Sequence, residues 1–364
     1  MLRRIKAHLG YYAFAGQGKI RGIMEYGQVH KKTYLITGIT GLIGRMLAEE
    51  LIASTSEGRE EVQIIGVGRN RERMHDTFAG VNGGDIAFVE ADCADNEQVL
   101  RRITTPIDHI IHCACPTASA YMISNPVETA DSIVLGTRNI LELARRLRVK
   151  SMVYLSSMEA YGVVKDIGRA RTEDELGDID ITSARSCYSL GKRMAEHYCH
   201  IYRKEYGVPV RIARLAQVFG RGVRPDDNRV YMQFARAACE GRDIVLKTRG
   251  DSMGNYCASD DAVRAILTIL NKGEDGEVYN VVNESNTMCI RQMAELVASQ
   301  IADGKISVRI EPEDAERTGY APDTGLRLSG AKLRKLGWKP VKGMAEMYRE
   351  VMDEIDFRKS AGLF

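Results

Sequence analysis

Features that mark membrane, nucleic-acid-binding and repeat proteins are missing from this sequence. No apolar run reaches the roughly eighteen residues that a membrane-spanning helix needs. Lys and Arg number 51 against 49 Asp and Glu, and this balance argues against nucleic-acid binding, which calls for a basic excess. No internal repeat or low-complexity segment is visible. We therefore expect a globular protein that acts without a membrane or nucleic-acid partner.

The eight cysteines show no metal-site spacing. Cys113 and Cys115 form a C-x-C pair, but no second Cys or His pair lies at zinc spacing. The basic, glycine-broken N-terminal segment has no compact apolar core, so we do not expect a secretory signal. We expect reduced thiols in a cytoplasmic protein, with no bound metal and with both cysteines as small residues ending a buried strand.

Short β-rich runs alternate with helical segments from residue 33 onward. The runs are Tyr34–Thr37, Val62–Val67, Ile86–Glu90, His109–Ala114, Met152–Leu155, Val210–Val218 and Glu277–Val281. Between them apolar residues recur every three or four positions, as in Ile133–Leu147. This alternation predicts an α/β fold, in which helices cover both faces of a parallel sheet.

A glycine-rich turn follows the first predicted strand. The residues TGITGLIG at 37–44 form a G-x-x-G-x-x-G pattern directly before a helical segment. One glycine permits a tight turn, another lets backbone N–H groups approach a pyrophosphate, and the third lets the helix pack on the strand. The positive end of the helix dipole favours the same anion. The turn therefore predicts a dinucleotide site around Gly38, Gly41 and Gly44.

The second strand ends without the acidic residue that usually holds the adenine ribose. Gly68 takes that place and Arg69 follows it. A missing carboxylate beside a guanidinium favours a 2′-phosphate, so NADP is slightly favoured over NAD. The alternative is that Arg69 is a solvated loop residue. Asp92, at the end of the third strand, is a candidate partner of the adenine amino group, or else an N-cap.

Four polar residues form a candidate catalytic set. Tyr188 and Lys192 are four residues apart in a predicted helix and so share a face. A nearby positive charge lowers the pKa of a phenol, which is normally near 10. Ser157 and Glu159 follow the fifth strand, at the sheet edge where α/β proteins bind ligands. The alternatives are that Tyr188 and Lys192 are an exposed helix pair, that Ser157 is a loop hydroxyl and that Glu159 is a solvated acid.

Together these motifs resemble the extended short-chain dehydrogenase/reductase family, and within it the NAD(P)-dependent nucleotide-sugar epimerase/dehydratase group. The resemblance runs from about Thr33 to about Pro340. Besides the glycine turn and the Asp of EADCAD, the matching segments are HCACPTASAYMISNP, GTRNILELAR, VYLSSMEAYG, YSLGK, RIARLAQVFG, VYNVVNE and LRKLGWKP.

The resemblance implies a Rossmann-type doubly wound sheet and a role for each site residue. Tyr188 would be the acid/base, Lys192 would bind the nicotinamide ribose and lower the pKa of Tyr188, and Ser157 would bind the reacting hydroxyl. Glu159 adds a carboxylate to the site. The cofactor contacts that the resemblance implies are Gly38, Thr40, Gly41, Leu42, Ile43, Gly44, Arg69, Asp92, Cys93, Cys113, Ala114, Tyr188 and Lys192.

The resemblance also implies an organisation and a partner. We expect an N-terminal extension at 1–32, an NAD(P)-binding domain at 33–222, and a smaller, mainly substrate-binding lobe at 223–364. A strand near 277–282 is expected to return to the first domain. The implied substrate is a nucleotide sugar oxidised transiently at C4, and the implied assembly is a homodimer formed by the helices around 133–147 and 188–206.

The reaction subtype remains open at this point. Resembling 4,6-dehydratases carry Asp-Glu after the catalytic Ser or Thr, where this chain has Met158 and Glu159. Resembling UDP-glucuronate decarboxylases share the Ser-x-Glu spacing but carry an Arg for the sugar carboxylate, which we align with Gly254. Epimerisation meets no such obstacle, and reduction of a keto sugar by NADPH suits Arg69.

Overall fold

The structure is a computed structural model that describes residues 31–81, 85–95, 103–164, 168–224, 226–313 and 325–360. Residues 1–30 of the predicted extension lie outside these described residues. The strands are β1 (Lys32–Thr37), β2 (Val62–Gly68), β3 (Asp85–Glu90), β4 (His109–His112), β5 (Ser151–Ser157), β6 (Val210–Leu215), β7 (Gln217–Phe219), β8 (Ile244–Leu246), β9 (Met253–Ala258), β10 (Val278–Val281), β11 (Asn283–Cys289) and β12 (Val308–Ile310).

Helices connect most of these strands. They are α1 (Leu42–Ser56), α2 (Arg71–Phe78), α3 (Ser119–Ser124), α4 (Pro126–Leu147), α5 (Cys187–Tyr206), α6 (Val230–Cys239), α7 (Ser259–Lys272), α8 (Ile290–Leu296), α9 (Ala331–Lys335) and α10 (Met344–Ser360). Short 3-10 turns at Met158–Tyr161 and Ala184–Ser186 flank the segment before α5. Within the described residues, no helix is both long enough and apolar enough to cross a membrane.

Seven strands form a parallel sheet in the order β10-β6-β5-β4-β1-β2-β3. Successive strand residues point to opposite faces. Ile36 packs in a core that includes residues of α1 and α7, and Leu35 packs in a core that includes residues of α4 and α5. Because helices cover both faces, the strands other than the edge strand β3 are almost continuously buried. The predicted doubly wound α/β fold is confirmed.

The strand predicted at 210–218 is instead two strands in different sheets. β6 ends at Leu215 inside the parallel sheet, and β7 pairs with β9 in a separate three-stranded sheet of order β11-β9-β7. At the break, the Ala216 N–H donates to the carbonyl of Val281 at 3.1 Å. The chain thus changes sheets where apolar composition alone shows no interruption.

An aromatic core lies beneath the three-stranded sheet. The rings of Phe219 and Tyr231 stack with centroids 4.3 Å apart, and Tyr256 and Tyr348 meet Phe219 edge-on. β8 and β12 form a further two-stranded sheet. The strand expected near 277–282 is β10, which lies at the edge of the parallel sheet beside β6. The division into a cofactor domain and a substrate lobe stays a prediction.

Candidate active site

The turn between β1 and α1 is shaped by close backbone approach. Gly38 has φ +65°, and a Cβ there would lie 2.9 Å from the Cα of Ala114. A Cβ on Gly44 would overlap the carbonyl oxygen of Gly38. Gly41 is the N-cap of α1 and offers no side-chain acceptor to the first N–H groups of the helix. The turn therefore suits a pyrophosphate, because backbone donors remain available in a space that side chains would fill.

A buried hydrogen-bond group fixes the loop after β4 against this turn. Thr37 Oγ1 accepts from the N–H groups of Cys113 at 3.1 Å and Ala114 at 3.0 Å. Since both acceptor positions are then used, the Thr37 hydroxyl donates to Nδ1 of His112, 2.7 Å away. Burial lowers the pKa of His112 to about 3, so its imidazole is neutral. These bonds end the ladder at His112, two residues before the predicted end of the strand.

Cys93 lies buried in the loop after β3, where a helix side chain that sequence reasoning missed holds the backbone. The amide of Asn139 in α4 donates to the carbonyls of Cys93 at 3.0 Å and Ala94 at 2.9 Å. Burial raises the pKa of Cys93 to about 12. A signal was available in the sequence, because Asn139 follows Gly136 by three residues in α4.

Arg69 and Asp92 stand at the ends of β2 and β3. Arg69 is exposed, and no carboxylate in the described part of the chain pairs with it. Asp92 Oδ1 accepts from the N–H of Ala94 at 2.9 Å, so one carboxylate oxygen already serves its own loop. A Cβ on Gly68 would meet Sδ of Met74 at 3.0 Å, which leaves little space for an acidic side chain there.

The Tyr–Lys pair is buried rather than exposed. Tyr188 is 7% exposed and Lys192 is 3% exposed, near the start of α5. Lys192 Nζ donates to the carbonyl of Leu155 at 2.7 Å. It lies 5.6 Å from the ring centroid of Tyr188 and 4.9 Å from that of Tyr154. The reading of an exposed helix pair is therefore wrong.

The hydroxyl of Tyr188 meets residues from two other strand ends. Ser157 and Cys115 both lie close enough to this hydroxyl to influence its pKa, and Lys192 in turn influences the pKa of the Cys115 thiol. Burial raises the pKa of Tyr188 well above 10, proximity to Cys115 and Glu159 acts in the same direction, and the neighbouring Ser157 hydroxyl opposes it. The expectation of a lowered pKa is not met in this structure, because burial outweighs the other influences.

Cys115 is a site residue that sequence reasoning assigned only to packing. Its position three residues after β4 was the available signal, because loops at the carboxyl ends of parallel strands line ligand sites. Burial raises the pKa of its thiol, and the nearby Lys192 and Tyr188 oppose that shift. The thiol is therefore a neutral neighbour of the Tyr–Lys pair.

Glu159 lies beside Tyr188 and carries its own counter-ion. Arg185 Nη2 lies 3.2 Å from Glu159 Oε1 and 3.1 Å from Oε2. Ser189 Oγ donates to the same carboxylate at 3.4 Å, and the N–H of Glu159 donates to Ser157 Oγ at 3.2 Å. Arg185 was not predicted as a site residue. The arrangement presents a half-exposed carboxylate next to the Tyr188 hydroxyl.

A buried ion pair connects α5 to the strands β5 and β6. Arg214 of β6 binds both oxygens of Glu196 in α5, at 2.9 and 2.7 Å. Ser156, the neighbour of Ser157, donates to Glu196 at 2.5 Å. Since Glu196 lies one helical turn after Lys192, the network fixes the register of α5 relative to β5 and β6.

The site combines a glycine turn suited to a dinucleotide, a buried Tyr–Lys pair and a serine at a strand end. This combination defines an enzyme of the short-chain dehydrogenase/reductase class. The chain belongs to the NAD dependent epimerase/dehydratase family, whose model matches residues 34–282. The resemblance inferred from the motifs is thereby confirmed. The chain is accordingly an NAD-dependent enzyme of this class.

The chain is also similar to curated relatives in sequence and to solved structures in fold. The chain is 30% identical to UDP-glucuronic acid decarboxylase 6 of Arabidopsis thaliana over 330 residues, 90% of each protein. It is 28% identical to UDP-glucuronic acid decarboxylase 1 of Danio rerio, over 87% of this chain and 71% of the relative. The fold matches a UDP-glucose 4-epimerase from Thermotoga maritima, solved with UDP-glucose, at 22% identity and a TM-score of 0.74. That match covers 90% of this chain and 99% of the other.

Proposed function

We propose that this enzyme converts a nucleotide sugar by transient oxidation of the hydroxyl at sugar C4. The observation that carries the proposal is the buried Tyr188 side chain, whose hydroxyl lies beside Ser157 and whose ring lies 5.6 Å from the ammonium of Lys192. Ser157 binds the C4 hydroxyl and Tyr188 takes up its proton. The glycine turn would hold NAD, which would supply the hydride acceptor and donor for the hydrogen at C4.

Tyr188 needs positive charge beside it to act as the base. Burial raises its pKa, so the phenol keeps its proton until a cation favours the phenolate. Among the described residues, Lys192 places an ammonium 5.6 Å from the Tyr188 ring. Thr37, Gly38 and the loop after β4 shape the neighbouring backbone, where the dinucleotide would be held.

Glu159 suits the step that follows oxidation. A carbonyl at C4 acidifies the C–H bonds at C3 and C5, and an ionised carboxylate can remove one of those protons. The Glu159 carboxylate lies beside Tyr188 and 3.1 Å from the Arg185 guanidinium. Return of the proton to the other face gives an epimer, and loss of a leaving group gives an elimination product.

A panel of nucleotide sugars tests this function. Purified enzyme, first shown by mass spectrometry to contain bound NAD or NADP, is incubated with UDP-, GDP-, CDP- and dTDP-hexoses and uronates without added cofactor. We expect conversion of at least one, detected by NMR of the sugar. Absence of any conversion by the cofactor-loaded enzyme would contradict the proposal.

Decarboxylation of UDP-glucuronate is the first alternative, because the relatives named above are decarboxylases and the Ser157-x-Glu159 spacing is shared. At Gly254, which we align with the carboxylate-binding Arg of those enzymes, a Cβ would overlap the ring and hydroxyl of Tyr256. An Arg would not fit there without displacing Tyr256. Release of CO₂ from UDP-glucuronate decides for this alternative, and its absence decides against it.

Reduction of a keto sugar by NADPH is the second alternative, and exposed Arg69 beside Gly68 favours it. A 2′-phosphate would gain a charge-assisted contact with Arg69. Binding of NADPH at least tenfold tighter than NADH, lost in Arg69→Ala, would support this preference. Equal affinities would remove the reason for it.

We infer a homodimer in the cytoplasm. Leu135 of α4 and Met194 of α5 are 38% and 40% exposed, on the two helices that the family resemblance assigns to the interface. We expect Met194→Glu to yield monomers by analytical ultracentrifugation, and Val341→Glu, also at an exposed apolar site, to leave the dimer intact. All eight cysteines are free thiols, which suits the reducing cytoplasm.

A further inference from the structure

The ammonium of Lys192 is buried without a carboxylate partner in the described part of the chain. The side chain is 3% exposed, and its nitrogen donates to the carbonyl of Leu155. Taking an ammonium group out of water costs several kcal/mol unless other groups replace its hydration. One carbonyl and the sulfur of Cys115 are weak replacements for a full hydration shell. A further group must therefore hold this charge.

Tyr154 presents its ring to that ammonium. Lys192 Nζ lies 4.9 Å from the centre of the ring, within the range of a cation–π interaction. Such contacts strengthen when the cation is desolvated, as it is here. The Tyr188 ring, at 5.6 Å, lies near the limit of that range.

Packing, rather than a hydrogen bond, fixes the Tyr154 ring. The side chain is 1% exposed, and its hydroxyl has no hydrogen-bond partner in the described structure. Its backbone pairs with His112 across β4 and β5, and the two rings lie 5.8 Å apart at 32°. Thr37 in turn holds His112. The ring is therefore locked in place from the β4 side.

We propose that Tyr154 is a positioning residue whose ring face holds the Lys192 ammonium beside Tyr188. The proposal rests on the proposed function only in assigning catalysis to the Tyr188–Lys192 pair. The ring, and not the hydroxyl, carries this role, because the hydroxyl has no hydrogen-bond partner among the described residues. Loss of the ring lets the flexible lysine side chain leave the position in which its charge favours the Tyr188 phenolate.

Paired substitutions separate the ring from the hydroxyl. Tyr154→Phe keeps the ring, and we expect kcat within about threefold of the wild type. Tyr154→Leu removes it, and we expect kcat to fall about 30-fold while KM changes less than threefold. Tyr154→Met, with a flexible side chain that fills gaps, serves in the same role if the leucine variant does not fold.

Tyr348 provides the matched control. It too is fully buried with a hydroxyl that lacks a partner in the described structure, but it lies in the Phe219 aromatic core. Tyr348→Leu should lose stability to urea to a similar extent as Tyr154→Leu yet keep its kcat. Equal loss of kcat in both leucine variants would reduce Tyr154 to a structural residue and overturn the proposal. So would an equal loss in Tyr154→Phe and Tyr154→Leu.

Crystal structures of the variants test the inference without activity. In Tyr154→Phe, Lys192 Nζ should remain within hydrogen-bonding distance of the Leu155 carbonyl, and in the leucine or methionine variant it should move away. An unmoved lysine in the variant without the ring contradicts the proposal. If the wild type turns over no nucleotide sugar, the proposed function fails, while these structures still decide the role of Tyr154.

Discussion

At the scale of single residues, the candidate site depends on where three hydroxyl and thiol groups meet. Tyr188 comes from α5, Ser157 from the end of β5 and Cys115 from the loop after β4. Ser157 and Cys115 lie close to the Tyr188 oxygen, and Lys192 is the nearby cation among the described residues. Proton transfer requires the Tyr188 oxygen itself, while binding of the dinucleotide depends on the backbone of the glycine turn between β1 and α1.

Tyr188→Phe separates these two requirements. The variant lacks only the hydroxyl, so we expect turnover of the nucleotide sugar to fall by about 10² to 10⁴-fold, the usual contribution of a general acid–base residue. Bound cofactor, measured after denaturation of the protein, should stay at the wild-type level. Tyr198→Phe, ten residues further along the same helix, is the control and should keep full turnover. Unchanged turnover in Tyr188→Phe would exclude the acid/base role.

The sequence predicted some of these residues for clear physical reasons and could not predict others. Tyr188 and Lys192 could be predicted as a pair because positions four apart on a helix share a face. The contact of Cys115 with Tyr188 spans 73 residues of chain and arises from the path of the loop after β4. The ion pair of Glu159 with Arg185 likewise joins two loops whose meeting no local pattern specifies.

At the scale of elements, the β1–α1 turn is a tightly packed junction in the site. Gly44 lies in the first turn of α1, directly against the carbonyl oxygen of Gly38. The overlap involves backbone on both sides, so neither group can yield by rotating a side chain. A methyl group there must push α1 away from the turn.

Gly44→Ala should therefore impair both folding and cofactor retention. We expect a loss of about 1–3 kcal/mol in the free energy of unfolding, as in other overpacked sites, and purified protein with little bound dinucleotide. Urea denaturation and cofactor extraction measure the two effects. Gly80→Ala is the control, because no atom of the residues that the structure describes lies within 4 Å of a Cβ there. Full cofactor content in Gly44→Ala would show that the turn tolerates the methyl group.

The joint between α5, β5 and β6 depends on the buried pair of Arg214 and Glu196. Arg214→Met would leave Glu196 as an unpaired buried carboxylate, and we expect unfolding to become easier by about 3–5 kcal/mol. The double variant Arg214→Met with Glu196→Leu should recover much of that loss, because it removes both charges. Urea denaturation measures both variants. A double variant no more stable than the single one would show that the pair is not the source of the loss.

At the scale of the whole molecule, alternation of strands and helices predicted the parallel sheet because each strand is a local apolar run. The small three-stranded sheet was missed, since β7 has three residues and forms only by pairing with β9, about forty residues later. Local composition cannot specify such a partner. For the same reason the change of sheet at Ala216 went unpredicted, although the apolar run containing it was recognised.

The pH dependence of global stability follows in part from His112, which is buried and neutral in the folded chain. Its pKa is about 3 when folded and about 6.5 when unfolded, so the unfolded chain binds the extra proton between these values. Stability is complete above pH 6.5 and is lost as the pH falls toward 3, on the order of 5 kcal/mol from this group alone. His112→Asn cannot titrate there, so its unfolding free energy should fall less steeply between pH 6.5 and 4.5 in urea titrations. Exposed His75→Asn should follow the wild type. Equal slopes in all three proteins would mean that His112 takes up no extra proton on unfolding.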